Sequence, residues 1–172
     1  MKKILTLFAV VGLMAFTSCE GPEGPRGIDA PIPYVYEMNN VNFAGPDFAA
    51  TSTPSGMLSG DNVLVYELVS APNAVDSWAL LPQIYYFNNG TETAQYNFNF
   101  SKNRVTVFID GSLSDLSQLP ASFRLGKTFR VVIIPGDDGI NAKKSVNKAD
   151  YSDYNAVIKK YNIDDSNVKK IN

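Results

Sequence analysis

Histidine is absent from this sequence, and cysteine and tryptophan occur once each. Without histidine the commonest general base is missing, and His-dependent triads and His-ligated zinc sites are excluded with it. A lone cysteine rules out an intramolecular disulfide. Basic charge is not in excess: 15 basic against 17 acidic side chains give a formal net charge of −2, which is no footprint for nucleic acid. No apolar run reaches the ~18 residues that read as a spanning helix. No solenoid or propeller period is visible, and no serine stands in a Gly-x-Ser-x-Gly elbow. What is present, in 172 residues, is room for a single modest domain.

The strongest signal lies at the start. Lys2 and Lys3 form a short positive region, and Ile4 to Phe16 follow as an uncharged apolar stretch. Its length falls within the ~7–15 residues of a secretory h-region. Thr17 and Ser18 are small, and Cys19 comes directly behind them. Residues 1–18 therefore read as a signal peptide and not as fold. After Cys19 and Glu20 come Gly21-Pro22-Glu23, Gly24-Pro25-Arg26 and Gly27-Ile28-Asp29, then Ala30-Pro31-Ile32-Pro33. Glycine at every third position beside proline is the collagen pattern and favours polyproline II. Three triplets are too few for a triple helix by themselves. Residues 19–33 read as a stiff solvated spacer extending ~3 Å per residue, with a trimer seeded at Gly21–Asp29 as the alternative.

Phe16-Thr17-Ser18-Cys19 resembles the lipobox of bacterial lipoproteins, usually Leu-Ala/Ser-Gly/Ala-Cys, from which Phe16 and Thr17 depart. With the Gly-Pro triplets behind it, the first thirty residues resemble small envelope lipoproteins carrying a brief collagen-like stretch after the acylated cysteine. The resemblance implies that the Cys19 sulfur takes a diacylglyceryl group. Cleavage then falls before Cys19, and the new amine is commonly acylated too (palmitate being a usual chain). Two or more chains, at ~0.8 kcal/mol per buried methylene, make a stable anchor. It implies a cell-envelope location. Because Glu20 is not the aspartate that retains lipoproteins at the inner membrane, the outer membrane is favoured. It supplies no activity and no cofactor.

From Tyr34 onward the period is mostly two. Tyr34–Met38 and Val63–Val69 read as strands, separated by loop chemistry at Gly45-Pro46-Asp47 and over Thr51–Gly60. Ile84–Phe87 runs into Asn88-Asn89-Gly90, whose Asn-Gly step predicts a type I′ hairpin turn. The return strand, Ala94–Phe100, alternates: Tyr96, Phe98 and Phe100 point to a core, Gln95, Asn97 and Asn99 to water. Val105, Val107 and Ile109 share one face of the next strand. Val131–Ile134 does not alternate, which predicts burial on both faces. Asp150 reads as the N-cap of a helix whose Tyr154, Val157, Ile158 and Tyr161 form one apolar stripe. The tail, residues 162–172, is polar and expected to fray. The whole predicts a mainly-β domain over 34–161, an antiparallel β-sandwich (Ig-like or related) with a short C-terminal helix. An open α+β sheet is the alternative.

Candidate sites are sparse. Asp137, Asp138, Asn141, Asp150 and Asp153 offer hard oxygen donors for calcium, but their spacing fits no EF-hand loop and lysines intrude. A solvated loop and a helix cap is the favoured reading, so no metal is expected. Trp78, Tyr85 and Tyr86 are the candidate ligand-contact aromatics, against the simpler reading as sandwich core. Glu37 and Glu67 are the strand carboxylates a hydrolase would need, and nothing in their spacing pairs them. The expectation is a lipid-anchored, non-enzymatic protein whose β domain binds or scaffolds an envelope protein or glycan. A trimerising assembly protein and a carboxylate hydrolase are the alternatives.

Overall fold

Alternation and β-branched content produce two facing sheets. The computed structural model describes residues 32–69, 76–136 and 151–171, all within the unit Pro31–Asn172. One sheet has the order β4 (Ser77–Leu80), β3 (Asn62–Val69), β8 (Lys127–Ile134), β1 (Tyr34–Val41), β9 (Lys169–Ile171). The other has the order β2 (Ala49–Ser52), β7 (Arg104–Gly111), β6 (Glu92–Ser101), β5 (Gln83–Phe87). The fold is the expected mainly-β sandwich, and among the described residues every ladder is antiparallel except β1 with β9.

The inter-sheet core follows from the period of two. Met38, Val65, Phe129 and Val131 of the first sheet meet Tyr96, Val105, Val107 and Ile109 of the second, with Phe43 between them. Each such large side chain, buried in full, stabilises by roughly 1.5–3 kcal/mol. Central strand β8 explains the unbroken apolar run: Val131 and Ile133 face this core, while Val132 and Ile134 face a second cluster on the outer side. There the C-terminal helix, Tyr154–Tyr161, lays Tyr154 and Val157 against Val35, Tyr66, Val132 and Ile134. The result is helix on sheet on sheet.

Several local expectations are corrected. Asp153, not Asp150, caps the helix, its carboxylate accepting from the Ala156 N–H at 3.1 Å. The tail does not fray. Asn162 takes the left-handed conformation (φ 51°), and the Ile163 N–H bonds back to the Ile158 carbonyl at 3.0 Å. That is a Schellman turn, and it folds Ile163 into the outer cluster, 8% exposed. The chain then returns as β9 beside β1. Residues 51 and 52, read as loop, belong to β2, which pairs Ala49–Ser52 with Phe108–Val105. Phe100 keeps the inward parity of Tyr96 and Phe98, opposite Val105, but is 47% exposed and not in the core. Strand β5 begins opposite Tyr96, so among the described residues β6 beyond that residue has no strand paired on that side, and burial declines through Phe98 to Phe100.

The hairpin between β5 and β6 is as expected in its turn and longer in its loop. Asn89 and Gly90 have φ of 55° and 86°, the positive pair a type I′ turn requires, and Thr91 N–H donates to the Asn88 carbonyl. Asn88 is left-handed too, at φ 48°, so the strands close one residue further out, with Phe87 opposite Glu92.

Candidate functional site

The parity that places Val63 and Val65 in the core also turns Glu67 inward, and the parity of Phe129, Val131 and Ile133 does the same to Lys127. The β3–β8 ladder ends at Glu67 opposite Phe129, leaving the two side chains diagonal at the end of the ladder. Lys127 Nζ lies 3.0 Å from Glu67 Oε1, and the Tyr85 hydroxyl, arriving from β5 across the sandwich, donates to Oε2 at 2.6 Å. Glu67 is 2% exposed, and Lys127 keeps a fifth of its side chain in contact with solvent. This trio floors a cleft of about 340 Å³, bordered by Phe87, Phe123 and Ser122 and reached by Tyr86.

Aromatic packing makes the floor rigid. Tyr85 meets Tyr96 and Phe123 edge-on at 5.8 and 5.2 Å, and Phe123 stacks on Tyr96 at 4.4 Å. The Tyr96 hydroxyl donates to the Phe123 carbonyl, which ties the Ala121–Arg124 helical turn to β6. Burial first, and the Glu67 carboxylate second, push the pKa of Tyr85 up, so its phenol stays protonated and acts as a donor, not as a nucleophile. Tyr96 moves the same way for the same reasons.

No family model, curated protein or solved structure matches the chain. Roles follow from geometry alone.

A second charged cluster lies on the opposite face of the same sheet, beneath the helix. Arg130 stands opposite Glu37 in the β1–β8 ladder. Its Nη1 donates to the Tyr154 hydroxyl at 2.8 Å and lies 3.3 Å from Asp165 Oδ2, to which that hydroxyl donates in turn at 3.0 Å. Its Nε is 3.5 Å from Glu37 Oε2, an ion-pair separation without hydrogen-bond alignment. The guanidinium lies 4.2 Å from the Trp78 ring centroid, with Tyr154 on another side at 5.3 Å. Burial, with donation to Asp165, pushes the Tyr154 pKa up against the opposing pull of Arg130.

The three expected aromatics are thus divided. Tyr85 and Tyr86 share the cleft, the first half-buried on its floor and the second 71% exposed. Trp78 belongs to the Arg130 cluster and packs on Tyr154 at 5.6 Å, so it is part of a structural staple and no part of a common platform. Glu37 and Glu67 face opposite sides of one sheet, and the fold does not bring them together as a hydrolase pair. Of the five proposed calcium donors, Asp137, Asp138, Asn141 and Asp150 lie outside the described residues, and Asp153 spends its carboxylate on the helix cap. Cys19 also lies outside them. Lys127, Phe123 and the pairing of Glu67 were missed from sequence, although a charged residue at a core-parity position of an apolar strand was a readable signal.

Proposed function

We propose that this chain is a lipid-anchored, non-catalytic cell-envelope protein whose β domain binds or scaffolds a partner outside the membrane. The observation that carries this reading is the sole cysteine, Cys19, standing directly behind an apolar stretch of h-region length. The Gly-Pro spacer that follows supports it, since an extended segment holds a domain clear of the bilayer surface. Glu20 favours the outer membrane. The cleft floored by Glu67, Lys127 and Tyr85 supports the binding half of the proposal.

Mass spectrometry and membrane fractionation of wild type and Cys19→Ala test it. The wild-type mature chain is expected to begin at Cys19, carry acyl mass and partition with membranes, and the variant to lose both. Identical masses and identical partitioning for the two chains overturn the anchor.

A further inference from the structure

We infer that the cleft lined by Glu67, Lys127 and Tyr85 binds an uncharged glycan, seating one sugar ring on the floor these three residues form. The inference rests on the binding half of the function proposed above, names its ligand class, and does not depend on the anchor.

Size comes first: about 340 Å³ lies within the ~300–1,000 Å³ of small-molecule sites. Charge comes next. A carboxylate and an ammonium 3.0 Å apart sum to zero, so neither an anion nor a cation gains on entering without breaking the pair. What such a floor recognises is a neutral group with donors and acceptors side by side. Glu67, 2% exposed, holds the other two in place. Lys127 keeps a fifth of its side chain in solvent and has three ammonium hydrogens to give. The Tyr85 oxygen, having donated its hydrogen to Glu67, still accepts, so a donor and an acceptor stand side by side at the cleft. Vicinal hydroxyls of a sugar match that alternation, and hydrogen bonds to charged partners are the strong kind. The walls supply the other half of carbohydrate recognition. Phe123 borders the floor, and Tyr86 stands exposed at the mouth, where an aromatic face stacks on the C–H face of a following ring. Tyr85 is already locked by Phe123 and Glu67, so little ordering is needed on binding.

The test is calorimetric titration of the full chain, both as wild type in detergent and as Cys19→Ala. The probes are gluco-, manno-, galacto- and xylo-oligosaccharides, with oligogalacturonate as the charged comparison. At least one neutral series is expected to bind both chains equally, whether or not the anchor exists. Ser122→Trp, which fills the cleft from an exposed position, and Lys127→Met are each expected to weaken it by about tenfold or more, and Tyr86→Ala by about threefold. Absence of heat with every neutral series overturns the inference. So does binding that stays within about twofold in Ser122→Trp, a variant that leaves the core untouched, and so does a preference for the charged oligomer.

Discussion

Among the described residues one sheet carries a charged cluster on each face, and the two are built on different terms. On the outer face Arg130 is enclosed by Glu37, Asp165, the Tyr154 hydroxyl and the Trp78 ring, contributed by two strands besides its own, the helix and the segment after it. On the inner face Lys127 has Glu67 and a Tyr96 ring at 5.4 Å, and the cleft beyond. A network drawn from several elements holds them in register, here with Asp165 keeping a third of its side chain in solvent and Lys170 lying 3.9 Å from Glu37. An ion pair at the floor of a cleft has one side left for a ligand. The contrast separates a staple from a site.

Breaking the staple is expected to have the larger effect. Arg130→Met removes the link among Glu37, Asp165, Tyr154 and Trp78, leaving, among the described residues, Glu37 only the exposed Lys170 and Asp165 only the Tyr154 hydroxyl. It should cost about 3 kcal/mol, read as a lowered midpoint in urea unfolding. Lys127→Met should cost less, about 1–3 kcal/mol, because a single ion pair is lost and the Tyr85 hydroxyl still donates to Glu67. Adding Glu67→Gln to it should restore part of that loss, since no charge then remains buried. Equal costs for the two single variants would erase the distinction between the clusters.

Alkali tests both faces together. Tyr85 and Tyr96 at the cleft and Tyr154 at the staple all have pKa values raised by burial, and Tyr36 in the core is pushed up to about 12. The neutral phenol is the form the fold favours. Its stabilisation is complete below about pH 10 and is lost as the pH rises through the raised values. The urea midpoint should therefore fall above about pH 10, together with delayed tyrosinate absorbance, and Tyr85→Phe should reduce the slope. The smallest expected effect is at the helix cap: Asp153→Ala should cost about 1 kcal/mol by the same urea measurement.

The inner layers were legible because strict alternation decides them. Val105, Val107, Ile109 and the unbroken Val131–Ile134 run announced their faces, and Asn89-Gly90 announced its turn. What was not legible depended on neighbours. Ala49–Ser52 has little β preference of its own and becomes a strand by lying along β7. Phe100 obeys its parity yet stays exposed, because β5 begins too far along to cover it. Lys169–Ile171 is too short to show a period, although Asn162 followed by Ile163 was a readable sign that the chain turns back to the core. Tyr85 and Tyr86 line one cleft while Trp78 lies against Arg130 on the other face, a division that composition could not show. An aromatic on an outer face reads the same whether it waits for a ligand or, as here, lies against an arginine.

The first strand is gripped on both sides, by β8 running against it and by β9 running with it. A load applied through residue 33 enters β1 along its own axis. The hydrogen bonds to both flanking strands then resist in shear, all at once, and are not peeled apart one after another. A pull on the amino-terminal end is in this way met by two seams at once, and the three-residue strand near the opposite terminus is half of the clasp.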